Sequence, residues 1–507
     1  MMLRVGLTFL TLIAAISISA CAPASLEKVP ASRTTPADLD RGFQGQSDPA
    51  ALAALGTWIE KHHRESGPFQ VGPWTVRFAT KGKTIINPAT LESLRPAANF
   101  ELRGLAQRQR IPGIGVPMIG YRPNDGSGPH DSWNPPEGIF RAVTAVPELR
   151  GSAVEIRVYD RLRVETIKLR DKTQPLAGDL SAPWAALLER TKRLRTTALT
   201  SLVTRDTGRD AGLFLVEEYD PEKTPVLLIH GLLSTPLMWA ELTNELWGDP
   251  RIRSEYQIWH YLYPTNAPAL YPARLLRSQL DELRISLDPE LNDPAMQRTV
   301  VVAHSMGGLL AKTLVVEPRD AFWDAAFTKS LDDLDTTSAE RATLEEAWFW
   351  QAHAHVDRIV FCAVPFRGSK MADSFIGRIG QWISAPRDEW QDFYRELERK
   401  NPGMLTDDYQ QLTRSKLTSV STPSPAVRSM QILDELPIQH GVGRHLIVGT
   451  RGKDGPIEDS SDGIVPFWSS SLPQPDSLKA VPDGHSLIEH PETVAEIKRI
   501  LRLPSAR

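Results

Sequence analysis

Cysteine is almost missing from this chain: 507 residues hold two, Cys21 and Cys362. That excludes a small disulfide-stapled scaffold. The fold has to be held by buried apolar surface, and the length suffices for two or three cores. Excess charge is scarce as well, a formal net of −4. No basic patch and no long run of like charge is present, so nothing supports a nucleic-acid partner. There is no internal repeat, which sets aside a repeat array. Metal-ligand spacing is wanting too. His353-x-His355 and His62-His63 have no Cys or acidic residue at helix-ligand spacing beside them, so no metal is assigned. The apolar stretch from Val5 to Ile18 is too short to span a bilayer as a permanent helix.

That stretch reads instead as a targeting segment. Arg4 gives it a positive start and Ile18-Ser19-Ala20-Cys21 closes it. Small residues before a Cys, directly after an apolar core, resemble the lipobox of bacterial lipoproteins. The resemblance implies a signal peptide over 1–20, a lipid on Cys21 and attachment to the bacterial cell envelope. Ala22, where an Asp could stand, implies the outer membrane. Buried acyl chains contribute about 0.8 kcal/mol per CH₂, so several on one residue make a stable anchor. Cys362 then has no partner. It sits in the apolar run Ile359-Val360-Phe361-Cys362-Ala363-Val364 and reads as a buried, inert thiol. Residues 21–47 are rich in Ala, Pro, Ser, Thr and charge, and are expected to be a flexible tether.

Beyond the tether two kinds of patterning follow. Asp48-Pro49 marks a helix start. Between about Pro68 and Leu169, short runs such as Trp74-Thr75-Val76-Arg77-Phe78 alternate apolar and polar residues between Gly and Pro clusters. This predicts a β-rich accessory module over 48–200, closing on a helix near Trp184 to Leu194. From about 205 to 507 strands and helices alternate, the pattern of a mostly parallel α/β sheet. Strands are expected at 212–217, 225–229, 257–263, 299–303, 358–364, 444–449 and 478–481. A helix at 272–287 and another opening at Pro491 are expected beside them. Two aromatic-rich stretches, about 319–357 and 369–443, are too long for simple connections. They read as cap insertions over the site, with helical padding on the sheet's flank as the alternative.

The chemistry is concentrated in Ala303-His304-Ser305-Met306-Gly307-Gly308, between the β-branched Val300–Val302 and the helix-forming Leu309–Lys312. This is the sequence form of a nucleophile elbow, with Ser305 on a sharp strand-to-helix turn and small residues where the backbones nearly touch. A serine nucleophile needs a base, and the base needs an acid. In this sheet type the chain order is Ser, acid, His. His485, in Pro482-Asp483-Gly484-His485-Ser486 between the last strand and last helix, is the base; the rival His490 looks like a helix cap. Asp454, Glu458, Asp459 and Asp462 follow the strand ending at Gly449; Asp462 is favoured because Asp462-Gly463-Ile464-Val465-Pro466 resembles the turn that carries the acid in many lipases, and Asp454 is the second choice. For the oxyanion, the Met306 amide and an amide after the strand Val226–Ile229 are expected, from Leu232 or else Leu233. His230 and His304 read as structural.

Four segments in this order carry a resemblance: His230-Gly231-Leu232-Leu233, Ala303–Gly308, Asp462-Gly463-Ile464-Val465-Pro466 and Gly484-His485. From about 212 to 501 the chain resembles an α/β-hydrolase of the lipase and esterase branch that includes inositol-deacylase-like proteins. Val364-Pro365-Phe366-Arg367-Gly368-Ser369 is a partial fifth match, with Phe366 where those lipases carry His. The resemblance implies a serine carboxylesterase or lipase without cofactor, acting on an ester or lipid-like small molecule. An acyltransferase or peptidase would share the same residues, and a non-catalytic envelope-binding lipoprotein could keep the fold.

Overall fold

Apolar–polar alternation over 68–169 does produce strands, and the run of strand and helix patterns after 205 does produce a second, parallel sheet. The computed structural model describes residues 24–506 apart from 31–32, 83, 129, 170, 199–210, 233, 264–269, 368–387 and 411–424. The chain divides into two compact units. One takes in residues up to 206 together with 215–220 and 240–257; the other takes in 207–214, 221–239 and 258–507. The span 205–507 is therefore shared between them.

The first unit opens with β1 (Ser25–Lys28), α1 (Pro36–Phe43) and α2 (Pro49–His62). There follow β2 (Phe69–Val71), β3 (Trp74–Phe78), β4 (Ile85–Ile86), β5 (Ser93–Pro96), β6 (Phe100–Arg103), β7 (Arg110–Ile111) and β8 (Val116–Arg122). Then come β9 (Ile139–Arg150), β10 (Ala153–Asp160), β11 (Thr166–Leu169), β12 (Lys172–Pro175), β13 (Gly178–Asp179) and α3 (Ser181–Ala198). The main sheet runs β2-β3-β10-β9-β8-β5, with β4 paired to β10. Its apolar face buries Val76, Met118, Val143 and Ile156 against Leu55, Trp58 and Ile59 of α2. As the sequence indicated, Asp48 caps α2, its side chain accepting from the Ala51 amide.

The expected tether over 21–47 is corrected from residue 24 onward. β1 pairs antiparallel with β6. α1 starts on a capping box, Thr35 with Asp38. Phe43 is fully buried and meets Trp58 edge-on at 5.3 Å. The Trp74 indole donates to Asp40. A few apolar anchors in a polar average dock this stretch, which mean composition conceals. Cys21 lies outside the described residues.

The second sheet contains all seven expected strands: β14 (Gly212–Leu215), β15 (Thr224–Ile229), β16 (Tyr256–Leu262), β17 (Thr299–His304), β18 (Val356–Cys362), β19 (Gly443–Gly449) and β20 (Ser477–Val481). Their order is β14-β16-β15-β17-β18-β19-β20. From β15 to β20 each pairing is parallel. β17 and β18 are buried at every residue, which is why Val300–Ala303 and Ile359–Cys362 read as apolar runs and not as alternating ones. Cys362 is among them, fully buried, and burial pushes its thiol up out of the reactive range.

Among the described residues, the α-helices of this region are α4 (Ala240–Gly248), α5 (Pro250–Glu255), α6 (Leu270–Leu287), α7 (Gly307–Thr313), α8 (Ala321–Ala326), α9 (Ser338–Trp348), α10 (Asp388–Lys400), α11 (Pro425–Glu435), α12 (Phe467–Ser470) and α13 (Pro491–Leu501). Within the two long insertions, α8 to α11 meet one another. The Thr328 amide donates to the Met404 carbonyl and the Thr406 amide to that of Ala326. The Trp348 indole donates to the Tyr394 hydroxyl at 2.9 Å. Phe327 stacks on Trp323 at 3.9 Å. These aromatics are spent on mutual packing, with Phe322, Trp323, Phe327, Trp348 and Tyr394 all buried. Phe375, Ile379, Trp382 and Ile383 lie outside the described residues.

Candidate functional site

Parallel strands present their C-terminal ends to one edge of the sheet, and loops that leave those ends converge there. Ser305 follows β17, Asp462 lies in the loop after β19, and His485 lies in the loop after β20. These are the three residues singled out by order in the sequence, and the fold brings their side chains together. The His485 Nε2 is 2.8 Å from the Ser305 hydroxyl. Its Nδ1 is 2.7 Å from Asp462 Oδ2. With Nδ1–H donating to the carboxylate, the neutral ring leaves its Nε2 lone pair to accept from the hydroxyl.

Each group is held by local structure. Ser305 has φ +52°, a left-handed conformation that costs a non-glycine residue about 1–2 kcal/mol. The turn is closed by Ser305 N donating to Cys362 O at 2.8 Å and Gly308 N donating to Ser305 O at 2.9 Å. The small residues after it are needed by contact. A Cβ on Gly307 would overlap the His230 carbonyl oxygen, and one on Gly308 would overlap Val364. Asp462 is buried, and its two oxygens have separate partners. Oδ1 accepts from the amides of Ile464 at 2.7 Å and Val465 at 2.6 Å, while Oδ2 faces the imidazole. Gly463, at φ +96°, lets the chain fold back so that those amides reach the carboxylate.

The rival residues stand elsewhere. Asp454 is exposed in its loop. His490 is the N-cap of α13, its Nδ1 accepting from the Glu492 amide, the cap role its position beside Pro491 indicated.

Of the expected oxyanion donors, Met306 is fully buried and stands at the N-cap of α7, where an amide has no acceptor within the helix. Leu232 follows Gly231, and a Cβ on Gly231 would be 3.0 Å from the Ser305 Cβ. The loop after β15 therefore lies against the elbow. Leu233, the fallback, is outside the described residues.

Two histidines read from the sequence as structural have more specific contacts. His230 lies stacked on Tyr263, ring centroids 4.2 Å apart. The Tyr263 amide donates to His230 Nε2 at 3.3 Å, so Nδ1 carries the proton and donates to the Gly231 carbonyl at 2.9 Å. The carbonyl of Gly231 and the amide of Leu232 belong to one planar peptide and point in opposite directions. Fixing the first therefore aims the second. His304 is buried, its Nε2 2.8 Å from the His485 carbonyl oxygen. Burial, reinforced by the neighbouring His485, pushes its pKa down to about 3, so the ring is neutral and Nε2–H is the donor. No sequence signal marks the Tyr263–His230 or the His304–His485 contact, because each joins segments far apart in sequence.

The partial fifth match also finds a place. Arg367 donates from Nε to Asp434 at 2.8 Å and from Nη1 to the Trp468 carbonyl at 2.7 Å. It thus holds the short helix that follows the Asp462 turn.

Among solved structures, the chain is similar to the mature lipase BlEst2 of Bacillus licheniformis, at 14% identity over 57% of this chain and 95% of that one, TM-score 0.31. It is also similar to a putative aryl esterase from Burkholderia cenocepacia, at 15% identity over 57% and 91%, TM-score 0.24. The thermophilic esterase Est2 of Thermogutta terrifontis matches at 13% identity over 57% and 87%, TM-score 0.29. No curated protein matches the chain by sequence. Residues 226–497, which run from β15 through the elbow to α13 and make up more than half of the sequence, match the Alpha/beta hydrolase family, and the chain belongs to that family.

Proposed function

We propose that this protein is a serine hydrolase that cleaves carboxylic esters, acyl or lipid-like ones foremost, through an acyl-enzyme. The reading is supported above all by the unbroken hydrogen-bonded line from Asp462 through His485 to Ser305. In the first half, Ser305 Oγ attacks the ester carbonyl carbon while its proton passes to His485 Nε2. Asp462 fixes the tautomer and stabilises the imidazolium that forms. The tetrahedral oxyanion is held by the amides of Leu232 and Met306. Collapse expels the alcohol, which leaves with the proton from His485. In the second half, water attacks the acyl carbonyl as His485 takes its proton. The carboxylic acid departs when that proton returns to Ser305.

The same reading takes residues 1–20 as a signal peptide and Cys21 as the lipid-bearing residue of an envelope lipoprotein, with 205–507 as the catalytic region. The inositol-deacylase-like branch is part of the proposal and rests on the sequence resemblance alone.

The test is a panel of chromogenic esters of increasing chain length on the delipidated protein, with Ser305→Ala in parallel. Turnover by the parent and none by the variant is the expected result. Near-normal esterase activity in Ser305→Ala refutes the assignment. Transfer to added alcohol in preference to water, or cleavage of amides, redirects it to an acyltransferase or a peptidase.

A further inference from the structure

We propose that His304 is a positioning residue that holds His485 in register for the second half of the reaction, when Ser305 can no longer do so. The inference rests on the serine-hydrolase reading above and concerns a step within it.

The His485 ring has two partners, and one of them is consumed. In the free enzyme the Ser305 hydroxyl donates to Nε2 at 2.8 Å. Once Oγ has become an ester oxygen it has no proton to donate, and that bond is lost. Asp462 still holds Nδ1, but a single hydrogen bond leaves the ring able to pivot about it. The main chain decides how far the ring can stray. The residues before His485 are tied down. The Asp483 amide donates to the Val481 carbonyl at 2.8 Å, and the Arg451 amide to that of Asp483 at 2.9 Å. The carbonyl of His485 itself is tied by His304 Nε2–H at 2.8 Å.

His304 is suited to this in three ways. It ends β17 and faces Cys362 in the ladder with β18, so its backbone belongs to the sheet's core. It sits directly before Ser305, so the bond spans from the base's main chain to the residue adjoining the nucleophile. Its bond involves no atom that changes during the reaction, and it persists through both halves. The ring is also neutral, with its centroid 4.9 Å from that of His485. A charged ring there would oppose the imidazolium that forms each time His485 takes a proton. His304 Nδ1 is buried with no hydrogen-bond partner among the described residues, and a Cβ on Gly231 would lie 2.8 Å from it. A side chain at position 231 would therefore press on this ring, and glycine avoids it.

The step that depends on this is deacylation. Water oxygen bonds to the acyl carbon and its proton goes to His485 Nε2. The bond from acyl carbon to Ser305 Oγ then breaks as the proton passes to Oγ. Misplacement of a reacting group by an ångström costs about 10²-fold. Acylation, in which the Ser305 bond still orients the ring, is affected far less.

The experiment compares His304→Phe, which keeps a flat buried ring and removes the donor, with His304→Gln, whose amide can donate over a similar reach. Stopped-flow hydrolysis of a p-nitrophenyl ester and the rate of fluorophosphonate labelling of Ser305 are measured for both, on the full-length protein. In His304→Phe, labelling should stay close to that of the parent. Steady-state kcat should fall by about 10²-fold, with a burst of one p-nitrophenolate per enzyme. His304→Gln should recover most of kcat and lose the burst. Labelling and turnover falling together, or a His304→Phe enzyme with the parent's kcat and no burst, overturns the proposal. Ser305→Ala run alongside separates the two ideas. If it retains turnover, the catalytic reading itself fails; if it is dead while His304→Phe is normal, only the positioning role fails. Should His304→Phe not fold, ¹⁵N-histidine NMR of the parent before and after phosphonylation decides. A slowly exchanging proton on His304 Nε2 in both states is expected, and its loss or a proton on Nδ1 in the phosphonylated enzyme overturns the role.

Discussion

Gly307 and His230 touch through their main chains: a Cβ on Gly307 would overlap the His230 carbonyl oxygen and lie 2.7 Å from that of Ile229. Both obstacles are backbone atoms of an inner strand and its exit, and neither can step aside as a side-chain end could. Gly307→Ala is therefore expected to cost at least the 1–3 kcal/mol typical of overpacking and to push the loop after β15 away from the elbow. Chemical denaturation and esterase assays check this. Gly212→Ala, whose Cβ would meet nothing closer than 3.7 Å among the described residues, should be far milder.

Ser305 stores strain at φ +52°. Ser305→Gly removes both the hydroxyl and the steric cost of the left-handed region. We expect the protein to become more stable by about 1 kcal/mol while turnover disappears, the reverse of a structural residue. A melting temperature that falls on this substitution counts against a strained elbow.

His230 donates to the Gly231 carbonyl and so aims the peptide whose amide belongs to Leu232. His230→Phe keeps the stacking surface for Tyr263 and frees that peptide to rotate. The loss should resemble that of one oxyanion donor, roughly 10²–10³ in kcat with little change in KM. A rise in KM at constant kcat points instead to a substrate-binding role.

Acid should destabilise this protein in a window set by its buried histidines. Burial is the main cause that pushes His260 and His304 down to about 3 and His445 down to about 4, from 6.5 in the unfolded chain. Between those limits the unfolded chain binds protons that the folded one refuses. Unfolding free energy therefore rises with pH across the window and falls on acidification, with no contribution above about pH 6.5. Each fully buried group adds a slope of about 1.4 kcal/mol per pH unit. Denaturant melts from pH 7.5 to 4.5 should show a flat upper end and a falling lower one, and His260→Gln should flatten the fall.

Helices α4 and α5 cluster with the first unit and are held there by specific bonds. Asn244 accepts from the Ser181 hydroxyl and donates to the Gln107 carbonyl, and Arg253 pairs with Glu165. Leu242, Leu246, Trp247 and Ile252 are buried, each contributing about 1.5–3 kcal/mol. A fragment over 205–507 would leave Asn244 without Ser181 and Gln107 and Arg253 without Glu165. It should aggregate or lack activity when expressed alone, while the full chain is soluble. A soluble, fully active fragment would show the first unit to be dispensable.

The parts of this molecule that sequence reading reached share a physical basis. Inner parallel strands are buried on both faces, so Val300–Val302 or Val226–Ile229 stand out as apolar runs. Ser305, Asp462 and His485 could be singled out because each follows such a run in a fixed order. What escaped is what pattern cannot carry. An amphipathic helix reads the same whatever covers it, so nothing assigned 240–257 to the first unit. Residues 24–47 average polar, and the few anchors that dock them, Leu26 and Phe43 among them, vanish in that average. The His304 bond joins a side chain to a main-chain oxygen 181 residues away, a pairing that leaves no trace in local composition.

Arg358 and Asp357 at the start of β18 are buried and paired with each other. Arg358 also donates to the carbonyls of Ile500 and Pro504, 142 and 146 residues further along, and Asp357 accepts from Ser505 and the Ala506 amide. On the ribosome these charged groups emerge long before the residues that solvate them. These two charges thus gain the contacts from Ile500, Pro504, Ser505 and Ala506 only after those residues have been made.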